Sequence, residues 1–508
     1  MTVPMPPEDP AGDPEAPAGL AGTVLRGAGL AGGGYVLAQA LNLVVYIVLS
    51  RLLLPEDFGQ YAAATVLVGF GVLITESGLQ AAVVQRQYRL PEAQSTAFVA
   101  TVVGGLLATG LGIAAAPLLG AIFDSDQVTE LAIASAALMF VNVLPVVPNA
   151  ILQRRFSFLR LVAVDPVEVL AFGAAAIIAA SNDMGPWSLV IGQYVGLATS
   201  TALTWAFARW RPRAGEVSFA MWRELADYGR HVFIATGIIR LGEQSADTLI
   251  VGKTLGTAAL GQFRYAFRIA ALPYQVLLAG AGYVVFPALS RLQADRERLE
   301  AAFLRSLRWL ATLGIPAGLI LVPLGPGVAA LVFGDVWLAA GYAAAAMCGY
   351  AGANAVVIAV GETLKAIGDP RPLPGIHGLS TITTIVAMII LAQISLTAAA
   401  ASLSLGAVVG AIAALRAARR TTRIGLRAML AQIWPPVVAA LVMVALVAPL
   451  DRLVLEPHTH STLVGLGLLA TEGLLCVAIY VVALTWLAPG TVREITSELR
   501  GRLRPGHA

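Results

Sequence analysis

Charge is what this chain has little of. Of its 508 residues only 12% are Asp, Glu, Lys or Arg, about half the share usual in a soluble globular chain. Cysteine is almost absent: Cys348 and Cys476 both fall inside long apolar runs, so neither a disulfide nor a redox compartment can be inferred. Lys supplies two of the 33 basic residues, a bias without functional content, and a net charge of +3 gives no reason to expect a nucleic-acid partner. The opening stretch "MTVPMPPEDPAGDPEAPAG" lacks the basic segment of a signal peptide. Its proline and acidic content reads as a disordered tail over residues 1–25.

What fills the space is apolar. Hydrophobic residues make up 58% of the chain, and the mean hydropathy is +0.79. Apolar runs of about 20 residues recur from end to end, the length that spans a ~30 Å hydrocarbon core at 1.5 Å per helical residue. The fold class expected is an all-α polytopic membrane protein with about 14 transmembrane helices. The spans fall near 29–51, 60–82, 95–120, 128–151, 162–181, 186–208, 231–252, 260–286, 303–325, 337–364, 374–393, 396–416, 434–450 and 462–487.

Basic residues orient this layout. With a cytoplasmic N-terminus, the cytoplasmic loops and tails hold 27 of the 33 Lys and Arg, including Arg86, Arg89, Arg154, Arg155 and Arg160. The opposite side holds four: Arg51, Lys253, Arg264 and Arg452. That asymmetry predicts cytoplasmic termini in a multi-pass cell-membrane protein, with a basic tail over 491–508. The linker 211–230 contains "VSFAMWRELADYGR", an amphipathic stretch suited to the membrane surface with Trp222 at the interface. Residues 290–310 read either the same way or as the next span extended into solvent.

The chain also repeats itself. At an offset of 202, Arg51 aligns with Lys253, Leu53 with Leu255, Gly59 with Gly261, Gln60 with Gln262 and Tyr61 with Phe263. A six-span unit duplicated without inversion predicts two parallel lobes around a central cavity, over 26–210 and 231–420. Spans 13 and 14, over 421–490, are then an addition.

Within the second lobe, "IIRLGEQSADTLIVGKTLG" places Arg240, Glu243, Gln244 and Asp247 at i, i+3, i+4 and i+7, one polar stripe on one helical face. A mid-membrane Arg or Asp costs ~2.5–3.5 kcal/mol on insertion scales, so the stripe faces a wet cavity or a packing partner rather than lipid. Matched depth makes Arg268 the expected partner of Asp247. Glu168 and Glu472 are isolated carboxyls inside spans, open to a proton-coupled or a purely local role. "VGKT" at 251–254 lacks the earlier glycine and the preceding strand of a phosphate loop, so no ATPase is encoded. "HTH" at 458–460 has no third ligand, and no metal or cofactor is expected. No nucleophile–base set or large outer loop suggests an enzyme.

"SRLLLPEDFGQYAAATVLVGFGVLITESGLQAAVVQR" at 50–86 resembles the opening of polysaccharide transporters of the Wzx (WzxC-like) type, in the multidrug/oligosaccharidyl-lipid/polysaccharide exporter superfamily. The resemblance continues in "ILQRRFSFLRL" at 151–161, "ADTLIVGKTLGTAALGQFRYAFRIAALP" at 246–273 and "VVFPALSRLQADRERLEAAFLRSLR" at 284–308, then weakens after "FGDVW" at 333–337. "TES" at 75–77 departs from the family's usual Ser-Asp-Leu. The resemblance implies a non-enzymatic flippase that moves a polyprenyl-pyrophosphate-linked glycan between leaflets, with polysaccharide polymerase machinery as a further partner. Arg240 and Arg268 are then the expected ligands of the pyrophosphate and sugar head group, Glu243 and Asp247 would order them, and Gln244 is a further cavity candidate. Asp247 and Glu168 are the coupling candidates. A drug or metabolite antiporter of the same superfamily is the alternative, and it would be expected to rely on acidic cavity residues.

Overall fold

The computed structural model describes residues 20–69, 79–86, 88–155, 157–227, 246–292, 295–455, 457–460, 462–491 and 493–494. Among these the chain is helical from end to end, without a strand. The first half comprises α1 (Leu20–Leu52), α2 (Pro55–Ala64), α3 (Leu79–Gln85), α4 (Leu90–Phe123), the broken helix α5 (Asp126–Arg154), α6 (Phe158–Ala180) and α7 (Trp187–Ala208). A short α8 spans 219–227. The second half comprises α9 (Ala246–Leu255), α10 (Thr257–Ser290), α11 (Arg296–Leu319), α12 (Leu321–Phe333), α13 (Asp335–Ala346), α14 (Gly349–Ala366), α15 (Leu373–Leu391) and α16 (Leu396–Thr422). Two helices follow, α17 (Leu426–Leu450) and α18 (Thr462–Leu487).

Seven of these helices are individually long and apolar enough to cross a membrane, and ten spans result if each bent pair counts as one. Predicted spans 60–82 and 231–252 lie partly or largely outside the described residues. The first helix starts at Leu20, inside the stretch assigned to the tail. Residues 296–319 form one uninterrupted helix, so the charged segment after 290 is largely an extension of the following span. Residues 374–416, apolar almost throughout, divide cleanly because Ser395 caps α16, its hydroxyl accepting from the Ala398 N–H at 3.1 Å.

Arginines organise one end of the molecule. Arg154 donates through Nη1 to the carbonyls of Val83 (3.1 Å), Val84 (2.6 Å) and Arg86, which closes the C-terminal end of α3. Arg155 reaches the Ala208 carbonyl at 2.7 Å, and Arg86 pairs with Glu224 of α8 at 2.6 Å. In the second half Arg296 donates to the Thr422 carbonyl, while Arg305 and Arg308 share Glu494. These cations therefore terminate helices. Arg154→Ala strands three carbonyls at a half-buried site. A loss of about 1–3 kcal/mol is expected, read as a lower melting temperature in detergent.

The opposite end joins the halves. Pro55 opens α2 after a 119° turn from α1 and lays it across the start of α10. There Gly59 and Gly261 face each other. A Cβ on Gly59 would overlap the Thr257 carbonyl, and one on Gly261 would overlap the Pro55 carbonyl. Each such Cβ would also lie 3.1 Å from the other glycine's nitrogen. Pro55 and Thr257 are themselves related by the 202-residue offset. The duplication seen in the sequence thus becomes a local two-fold contact, and only glycine permits the backbones to approach this closely.

Aromatic packing and capping complete the junction. Tyr265 stacks on Trp337 with centroids 3.8 Å apart, and Phe58 meets both edge-on at 4.9 and 5.4 Å. The Trp337 indole donates to the Ser50 carbonyl at 3.0 Å. Arg51 caps the end of α12 through the carbonyls of Leu331 (2.5 Å) and Val332 (3.2 Å). The chain can turn there because Gly334 takes φ +118°.

Candidate functional site

Below the glycine contact lies a cavity of about 560 Å³, with walls drawn from both halves: α1 and α2 on one side, α9, α10, α14, α15 and α16 on the other. A second cavity of about 350 Å³ adjoins it between α1 and α10. Arg264 and Arg268 line both. The volume is within the range of small-molecule sites.

Geometry explains how α10 presents these arginines. The helix starts at Thr257 immediately after Gly256, whose φ of +88° lets the chain reverse. Arg264 is then about 10 Å and Arg268 about 16 Å along the helix by axial rise, on one face at i and i+4. Arg264 Nη1 lies 3.5 Å from Asp247 Oδ2, and its other amino group bonds the Thr248 hydroxyl. Asp247 accepts from its neighbour's N–H at 2.7 Å and is 11% exposed at the side chain. Arg268 is held differently. Its guanidinium carbon stands 3.1 Å from the Tyr46 ring centroid, and Nη1 donates to Asn42 Oδ1 at 3.2 Å. Stacking orients a guanidinium with its N–H edge in a defined plane, as bidentate phosphate recognition requires.

Several expected placements change. Asp247 pairs with Arg264, not Arg268. The helix begins three residues earlier than the predicted span at 260, so every residue on it lies deeper than the count from 260 gave, and Arg264 matches Asp247 in depth. Arg264, counted with the outer loops from sequence, is a cavity residue. Its i, i+4 relation to Arg268 was the signal that could have found it. Glu168 lines neither cavity: its side chain lies against Gly196 in α7, with Ser200 beside it. Arg240, Glu243 and Gln244 lie outside the described residues. Glu472 is 1% exposed, packed in the C-terminal helix pair rather than at the cavity.

Among the described residues an all-helical bundle with membrane-spanning apolar helices surrounds a polar cavity walled by both halves. Residues 48–341 match the family described as polysaccharide biosynthesis protein, and the chain belongs to that family. It is 27% identical over 300 residues to the succinoglycan biosynthesis transport protein ExoT of Rhizobium meliloti (strain 1021), covering 58% of this chain and 60% of that protein. It is 24% identical over 308 residues to the lipopolysaccharide biosynthesis protein WzxC of Escherichia coli (strain K12), covering 59% and 61%. The alignments thus span about three-fifths of the length of these relatives. In fold it is similar to the lipid II flippase MurJ in an inward closed conformation, with TM-score 0.73 at 12% identity over 91% of this chain and 99% of that one. An inward-facing multidrug resistance transporter of the MATE family aligns with TM-score 0.61 at 16% identity, over 76% and 94%. The fold is therefore similar to those of these two solved structures.

Proposed function

We propose that the chain is a flippase which carries a polyprenyl-pyrophosphate-linked oligosaccharide from the inner to the outer leaflet of the cell membrane. The observation that carries this reading is Arg268, presented to the inter-lobe cavity by Tyr46 and Asn42 with Arg264 one turn away. Two cations on one helical face suit the oxygens of a pyrophosphate, and they disfavour the cationic drugs that the antiporter reading requires. The arginine-rich end, by its excess of cations, faces the cytoplasm. The glycine contact then seals the outer side, and the described state is closed outward. Alternating access proceeds by parting the halves at Gly59 and Gly261 and closing them at the arginine-rich end, driven by an ion gradient.

Proteoliposomes test this against the antiporter. Polyprenyl diphosphate bearing one hexose should lose protection from a non-permeant glycosidase in the presence of the protein and not in its absence. Accumulation of the cationic dye ethidium should be unchanged by the protein. Dye movement without movement of the lipid overturns the reading.

Tyr46 has a separable part. Tyr46→Leu removes the stacking surface, a contribution of about 0.5–2 kcal/mol, and should slow transport roughly two- to thirtyfold. Tyr46→Phe, which keeps the ring, should retain most of the rate, since the cross-lobe bond from the Tyr265 hydroxyl goes to the Tyr46 backbone carbonyl at 3.1 Å.

A further inference from the structure

The cavity is chemically divided. Among its described lining residues the carboxylate and guanidinium groups are Asp247, Arg264 and Arg268, all on α9 and α10. The wall formed by α14 and α15 carries instead Tyr350, Asn354, His377, Ser380, Thr381 and Thr384. Helix α15 is amphipathic within the membrane: Leu379, Ile382, Val386 and Ile389 are exposed on its outer surface. His377, Ser380, Thr381 and Thr384 recur at i, i+3, i+4 and i+7 toward the cavity.

Packing accounts for only half of that strip. Ser380 donates to the Gly406 carbonyl at 2.9 Å, and Thr384 rests against Gly406, so these two hold α15 to α16. No bond within the described residues engages the Thr381 hydroxyl or the His377 ring. Asn354, which lines the cavity, commits its Nδ2 to the Tyr350 carbonyl at 2.9 Å, and no bond within the described residues engages its amide oxygen. A hydroxyl, an amide oxygen and an imidazole are thus presented together without an arginine or a carboxylate. An aromatic ladder adjoins them. Phe267, Tyr350 and Tyr274 stand edge to face, each step 5.6 Å between centroids. Tyr274 is six residues beyond Arg268 on α10, about 9 Å further from the glycine contact.

We infer that this wall is a sugar subsite, built for an uncharged, hydroxyl-bearing sugar joined to the diphosphate that Arg264 and Arg268 engage; the inference rests on the flippase reading above. Uncharged donors and acceptors match sugar hydroxyls, while aromatic faces match the apolar C–H face of a pyranose. A polyprenyl chain would leave the polar groups of Thr381, Asn354 and His377 unmatched, which favours the sugar as occupant. The diphosphate end then fixes the class of lipid carrier, and the α14–α15 wall discriminates among glycans.

The test compares two probes in proteoliposomes: bare polyprenyl diphosphate and the same lipid bearing one neutral hexose. Thr381→Val combined with Asn354→Leu should slow the hexose-bearing lipid about tenfold and leave the bare lipid within twofold of the unaltered protein. Thr381→Val alone, which conserves volume, should give about threefold, and Thr381→Ser should restore the rate. Arg268→Ala should slow both lipids. Equal slowing of the two lipids by Thr381→Val, or no change in either, overturns the subsite while leaving the flippase reading intact. An unaltered protein that moves neither lipid overturns both.

Discussion

Gly261→Val is expected to abolish flipping while leaving the protein inserted and folded. The valine Cβ would meet the Pro55 carbonyl, which belongs to the other half and is backbone, so no rotamer change relieves the overlap. The halves can yield only by separating, and separation at this end is the opposite state of the proposed transport cycle. Overpacking of this kind costs about 1–3 kcal/mol where neighbours adjust, and more where they do not. A shift of about 5.5 kcal/mol carries a two-state equilibrium from 1:99 to 99:1. Gly59→Val should behave alike, because its Cβ meets the Thr257 carbonyl from the other side of the local two-fold. Thiol labelling reports the state. With Cys348 and Cys476 replaced, a Thr65→Cys probe on the cavity wall should react with a non-permeant maleimide added outside only when Gly59 or Gly261 is valine. Unchanged protection in both valine variants would contradict the gate assignment.

Arg268→Ala is the second large effect. Each charge-assisted bond to a phosphate oxygen contributes about 1.5–3 kcal/mol, so removing this guanidinium should cost at least roughly tenfold in rate. Arg268→Lys keeps the charge but loses the planar fork and its stacking on Tyr46, and it should recover only part of the rate. Arg264→Ala has a compound outcome, since it also removes the cation beside Asp247. Its expected loss is relieved in Arg264→Ala/Asp247→Asn, which deletes both members of the pair; a residual loss in the double variant measures the contribution of Arg264 to the lipid.

The sequence made the apolar helices legible through length and hydropathy, and the span pattern placed most of their ends within a few residues. The duplication was legible because Gly59 and Gly261 recur with their neighbours; that the two glycines touch each other was not, since a repeat specifies likeness rather than the axis relating the copies. Asp247 and Arg268 stood out by the cost of charge in an apolar span. Arg264 did not, because the helix start at Thr257 is set by the Gly256 turn, and counting from 260 leaves Arg264 near the membrane surface. Arg51 and Arg154 read only as topological markers, yet their guanidinium groups close helix ends through backbone carbonyls from distant segments. The polar strip on α15 escaped notice because Ser, Thr and His add little charge to a long apolar run. Its significance appears only when Ser380 and Thr384 are seen to pack on Gly406 while Thr381 turns to the cavity.

The central claim is that Arg268 engages a diphosphate lipid inside a cavity that opens to alternate sides. It is tested most directly by the leaflet-to-leaflet rate of polyprenyl-diphosphate hexose in sealed proteoliposomes, for the unaltered protein and for Arg268→Ala at equal reconstitution density. Protein-dependent movement that falls at least roughly tenfold in Arg268→Ala is the result predicted here. Equal rates for the two proteins, or no movement by either, would contradict it.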